Sequence, residues 1–90
     1  MYASDVKAKR LTATGSAAVG PARIRQIQVL TATGTPRLTI TDGDGGETVL
    51  DLDFVESDSH SVNIPSDGIR VNDIYVSTLT NITALTVFYA

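Results

Sequence analysis

The chain has 90 residues, a mass of 9.5 kDa, a formal charge of −3 and no cysteine. That length fits one domain spanning residues 1–90, and the missing cysteine excludes disulfide staples, thiol catalysis, Cys-ligated zinc and iron–sulfur clusters. A domain this small buries roughly 60–65% of its unfolded surface and reaches a stability of about 5–13 kcal/mol, so oligomerisation is the remaining source of extra burial.

The opening Met1-Tyr2-Ala3-Ser4-Asp5-Val6-Lys7 has no apolar core and does not read as a secretory signal. The first twenty residues, rich in Ala, Ser, Thr and Gly, hold Val6, Leu11 and Val19 as scattered anchors. They read as a first strand or as an arm reaching to a neighbour. In residues 22–31, Ile27 and Val29 alternate while Ile24 is out of phase by one. A bulge near Arg25-Gln26 restores the register. The rival is a helix through Ile24, Ile27 and Leu30, weakened by Val29, Thr31 and the lack of a cap.

From Arg37 onward the alternation is regular. Leu38 and Ile40 share a face, and Leu50, Leu52 and Phe54 share another with Asp51 and Asp53 turned to solvent. Between these runs, Asp42-Gly43-Asp44-Gly45-Gly46 has the composition of a hairpin loop. Val62 and Ile64, Ile69 and Val71, and Ile74 and Val76 continue the pattern. The final run, Ala84 to Tyr89, is apolar on both faces, which places it centrally in a sandwich or against another subunit. Thr, Val and Ile supply 28 residues, and turn signals recur too often for long helices. The expectation is an all-β, small antiparallel β-sandwich or jelly roll of seven to eight short strands. No stretch approaches the ~18 apolar residues of a membrane span.

Charge is unevenly placed. Residues 1–41 hold Lys7, Lys9, Arg10, Arg23, Arg25 and Arg37 against Asp5, whereas residues 42–90 hold Arg70 against nine carboxylates. Either the molecule has a basic and an acidic face, suited to docking copies side by side or to an acidic partner, or strands of the two halves interleave and the charges average out. Nucleic-acid binding is not expected, because the basic residues are not interleaved with aromatics and the pI is near 4.7.

Motifs for catalysis and metals are weak. Ser57-Asp58-Ser59-His60-Ser61 contains the residue types of a catalytic triad, but triads converge from separate elements, and the segment reads as a solvated polar loop. Asp51 and Asp53 lie roughly 7 Å apart on one strand face and read as a solvated surface rather than paired glycosidase acids. Asp42–Glu47 has a calcium-loop flavour, yet Gly46 and Glu47 break the EF-hand pattern. Asn81-Ile82-Thr83 matches a glycosylation acceptor, which carries little weight without a signal peptide. No catalytic, cofactor-binding or metal residues are assigned, and no cofactor is expected.

The segments Gly68-Ile69-Arg70-Val71-Asn72-Asp73-Ile74-Tyr75-Val76, Leu79-Thr80-Asn81 and Leu85-Thr86-Val87-Phe88-Tyr89 resemble the C-terminal end of small virion proteins of tailed bacteriophages. Ile27-Gln28-Val29-Leu30-Thr31 and the glycine-rich tip before Thr48-Val49-Leu50 fit the same layout, so the resemblance covers residues 24–89. It implies a capsid decoration (cement) protein or another structural virion protein, a small homo-oligomer and no catalytic residues. The expectations are a trimer, the major capsid protein as partner, and a place on the capsid surface after synthesis in the host cytoplasm. Lys7, Lys9, Arg10, Arg23, Arg25 and Phe88 are the expected interface residues. The rivals are a tail- or fibre-associated subunit and a carbohydrate- or ligand-binding β-sandwich, the latter disfavoured because Tyr2, Tyr75, Tyr89, Phe54 and Phe88 are mostly claimed by core patterning. An enzyme is not expected.

Overall fold

The computed structural model describes residues 6–90; the readings made on Met1 to Asp5 lie outside them. The described residues form nine strands: β1 Lys7–Leu11, β2 Gly15–Ala18, β3 Ala22–Thr31, β4 Arg37–Asp42, β5 Thr48–Asp53, β6 Ser59–Asn63, β7 Ile69–Val71, β8 Ile74–Thr80 and β9 Ile82–Tyr89. There is no helix among the described residues. The all-β expectation holds, with more strands than the expected seven or eight because residues 7–18 supply two. The segment expected as one strand or an arm places β1 in one sheet and β2 in the other.

Every strand pairing is antiparallel. The five-stranded sheet A runs β1-β9-β3-β6, with β7 also paired to β3, and the four-stranded sheet B runs β2-β8-β4-β5. The chain changes sheet at every junction except the β4–β5 hairpin and the β6–β7 turn. The shortest of these passages is Asn81, a single residue at φ 52° between β8 and β9. Asparagine tolerates this left-handed conformation better than most side chains.

The inner faces bury Ile24, Ile27 and Val29 of β3, Leu38 and Ile40 of β4, Ile74 and Val76 of β8, and Leu85 and Val87 of β9, in one cluster. The expected bulge is present: the β3–β9 register shifts between Ile24 and Gln26, and Ile24 and Ile27 are both fully buried. Residues 22–31 are therefore a bulged strand, not a helix.

Two expectations need correction. Leu50, Leu52 and Phe54 pack against the core but are only half-buried, because β5 is the edge strand of its sheet and has a neighbour on one side only. His60 lies not in a solvated loop but in β6, half-buried, with its ring centroid 5.2 Å from that of Phe54. The buried Thr31 ties the preceding linker to β3: its hydroxyl lies 2.7 Å from the Val55 carbonyl and 3.0 Å from that of Asp58, and it accepts the Asp58 amide.

Leu38→Ala should cost about 2–5 kcal/mol, the usual penalty for emptying a fully enclosed site. Leu52→Ala on the edge strand should cost less than half of that, and Asp51→Asn less again. Urea unfolding midpoints of the three variants check the order; an aspartate change as harmful as Leu38→Ala would contradict this register.

Candidate functional site

With the inner faces spent on the core, the outer face of sheet A is an uncovered surface whose chemistry departs from the rest of the described molecule. Cross-strand registers arrange it in rows. Ala8, Phe88, Gln26 and Asn63 form one; Arg10, Thr86, Gln28 and Ser61 the next; Ala84, Leu30 and Ser59 a third. Phe88 therefore stands in the middle of the sheet, half-buried, with Ala8 and Gln26 beside it. Over the second and third rows lies a shallow hollow of about 340 Å³, lined by Arg10, Gln28, Leu30, Ser59, Ser61 and Thr86 with Ala84 at its floor. Leu30 is 46% exposed there.

The electrostatics follow the sheets, not the sequence halves. The strands of sheet A carry six basic residues, Lys7, Lys9, Arg10, Arg23, Arg25 and Arg70, and no carboxylate. Those of sheet B carry Arg37 with Asp42, Asp51 and Asp53. Two arginines thus change sides relative to a count by sequence halves: Arg70, alone among nine acids in sequence, joins the basic sheet, and Arg37 joins the acidic one.

The one ion pair among the described residues is Arg37 with Asp51. Arg37 Nε and Nη2 donate to the two Asp51 oxygens at 3.0 and 2.8 Å, and the Thr39 hydroxyl lies 3.2 Å from Oδ1. These donors, the Arg37 hydrogen bond foremost, hold the Asp51 carboxyl below its ordinary value. The same pairing raises the Arg37 guanidinium above its own.

The expected interface residues all fall on sheet A, but not in one arrangement. Arg10, Arg23 and Phe88 take the outward phase, and Arg25 occupies the exposed bulge beside Arg23. Lys7 and Lys9 take the inward phase with Leu11, opposite Tyr89 and Val87, on an edge strand where they remain exposed. Inward-pointing lysines on an edge oppose pairing with a further strand. Charge counting by halves missed Arg70; the signal was its place between Ile69 and Val71, which turns it outward on a strand.

The remaining motifs have structural employment. His60 Nε2 donates to the Val55 carbonyl at 3.1 Å, so its ring is held by backbone rather than by a serine or an aspartate. In the hairpin, the Asp42 amide donates to Glu47 O and the Gly46 amide to Gly43 O. A Cβ at Gly46 would lie 1.8 Å from the Asp42 carbonyl oxygen, so no other residue fits. The Asp42 carboxylate accepts the Asn72 and Asp73 amides at 2.8 and 3.2 Å, and that of Asp73 accepts the Gly20 amide at 2.6 Å. Among the described residues, no three His, Asp or Glu side chains are grouped to hold a metal ion. The Asn81 amide nitrogen donates to Thr35 O at 3.3 Å. No family model, curated protein or solved structure matches the chain.

Asp42→Ala removes a charged acceptor from two backbone amides and should cost about 1.5–3 kcal/mol. Thermal melts of the parent chain in calcium and in chelator should coincide; a rise of several degrees with calcium would contradict the structural role given to this carboxylate. For Asp51, a carboxyl with a lowered folded value contributes stability above its unfolded value and loses it as pH falls through the folded one. Carboxyl NMR titration should therefore place Asp51 below free aspartate, and Arg37→Gln should move it back up, with the contribution of this pair to stability present and independent of pH between about pH 6 and 9.

Proposed function

We propose that this chain is a structural subunit of a tailed-bacteriophage virion. In this reading it is a capsid decoration or cement protein that lays the outer face of sheet A on an acidic surface of the head lattice. One observation carries it: a sheet with six cations and no carboxylate, in a chain of net charge −3, with Phe88 standing in the open face. A basic surface against an acidic one sets orientation and speeds encounter, while central apolar groups that lose water on contact hold the complex. Phe88 and Leu30 are those groups here.

The segmental resemblance to small virion proteins supports the same reading, as does the rigid, cysteine-free sandwich. The partners are the major capsid protein and further copies of this chain, expected as a trimer; the place is the capsid surface. A tail- or fibre-associated subunit would use the same face on a different lattice. A non-catalytic role is supported by the employment of His60, Asp42 and Asp73 in holding backbone. The second reading, a carbohydrate- or ligand-binding module, is favoured by the hydroxyl- and amide-lined hollow beside Arg10.

The test is sedimentation with heads assembled from the major capsid protein encoded beside this chain. The chain should pellet with heads, and Phe88→Ser should release it. Raising salt from about 0.05 to 0.5 M should weaken binding only in part, because screening acts on exposed ion pairs and leaves apolar contact intact. A chain that stays in the supernatant at both salt concentrations, or a gene with no capsid gene beside it, would overturn the proposal. Light scattering at tens of micromolar should show an oligomer; a strict monomer would remove self-association from it.

A further inference from the structure

At the corner of sheet A where β3 begins, two arginines stand directly opposite each other on neighbouring strands. Arg23 and Arg70 are direct cross-strand partners on β3 and β7. The Arg23 amide and carbonyl are both bonded to Ala90, at 2.8 and 2.9 Å, so its peptide groups turn away from β7. The Arg23–Arg70 pair is thus of the non-hydrogen-bonded kind, with Cα atoms about 4.5 Å apart and side chains at their closest. Like charges placed directly opposite destabilise a sheet. Both side chains are exposed, and they flank a hollow of about 210 Å³ completed by Pro21, Ala22 and Ala90.

Arg25, exposed in the bulge two residues further along β3, is the next cation, though it does not line that hollow. Gly68 lies against Arg25: a Cβ there, at φ +86°, would come within 2.4 Å of the Ile24 carbonyl oxygen and 3.1 Å of Arg25 Cδ. The backbone therefore admits no side chain at 68 that could cover the cluster. No carboxylate among the described residues lies within ion-pair distance of any of the three, the one such pair being Arg37 with Asp51.

We propose that Arg23, Arg25 and Arg70 form a binding site for carboxylate groups presented by a partner protein, the anchor of the docking face described above. It rests on that reading for the partner's identity alone. A carboxylate set between the paired guanidiniums relieves a repulsion that the isolated chain carries, so the bound state gains twice, by attraction and by relief. Arginine stands at all three positions, and its planar fork matches a carboxylate through two parallel N–H donors. The chain builds this same fork once internally, between Arg37 and Asp51. The fork matches a phosphate too, but phosphate sites commonly add convergent backbone amides, so the carboxylate is the class assigned and phosphate its rival in the test. Here the Arg23 amide is spent on Ala90 and the Gly68 amide on Pro65.

Glutarate titrated at constant ionic strength, followed by ¹H–¹⁵N spectra that include arginine Nε–Hε, tests the site on the intact chain. Saturable shifts should appear on Arg23, Arg25 and Arg70 and leave Arg37 unmoved. Arg70→Gln should weaken glutarate at least fivefold while its melting midpoint stays level or rises, since a repulsive neighbour has gone. Arg23→Gln serves as the second variant with the same expectation. Shifts that grow linearly and spread evenly over all six sheet A cations would overturn the site, and inorganic phosphate binding tenfold tighter than glutarate would overturn the carboxylate assignment. If glutarate saturates the corner but heads do not bind, the docking reading fails and the site stands. If heads bind Arg70→Gln and Arg23→Gln as well as the parent, the corner is not their anchor and this inference fails while the docking face stands.

Discussion

Strand β3 cannot bury both Ile24 and Ile27 in a regular pleat, because an odd separation sends their side chains to opposite faces. The extra residue at Arg25 resolves the conflict, and much else follows from it. β3 is the only strand of sheet A with three partners, holding β9 along one side and β6 and β7 along the other. A one-residue slip flips every side chain of a strand to the opposite face. Without the bulge, either Ile24 or the Ile27–Val29 pair would leave the core, and β9 or β6 would lose its register with it. The same residue sets Arg25 beside Arg23 on the outside, so the device that completes the core also gathers the charge.

Charge segregation by sheet is the second organising feature. A sandwich mixes sequence halves freely, and this one does: sheet A takes β1 and β3 from the first half and β6, β7 and β9 from the second. Mixing did not average the charges, because the acids among the described residues lie in turns and in sheet B, leaving the strands of sheet A free of carboxylates. Three of the four sheet edges carry features that hinder pairing. β1 presents three cations, β2 has four residues and a register shift, and β5 carries two aspartates. Edges of this kind resist adding a foreign strand.

The acids of the turns are structural to different degrees. Asp42 and Asp73 reach across to backbone amides of other turns and fix one end of the sandwich, where the β4–β5 hairpin, the β7–β8 link and Gly20 meet. This arrangement gives Asp42, the first carboxylate of the glycine-rich loop, a use that composition alone cannot distinguish from metal binding. The difference lies in what surrounds the oxygens: amide hydrogens from segments some thirty to fifty residues away in sequence.

The sequence by itself determined the class of fold, the phase of most strands and the bulge, because period-two alternation and turn residues act over a few neighbours and need no partner to be read. It set Leu38 with Ile40 and Ile74 with Val76 on shared faces, and turned Asp51 and Asp53 outward, as the structure has them. It also assigned Leu50, Leu52 and Phe54 to the core without the means to see that β5 is an edge, and it put His60 in a loop because three serines and an aspartate around it mask a short strand. The tertiary structure alone decided which strands are neighbours. Burial at an edge, the pairing of Arg37 with Asp51, the meeting of Arg23 with Arg70 and the carboxylate-free face all depend on strand order. Strand order is set by which apolar faces fit together across the whole core, and no local stretch of sequence contains that information.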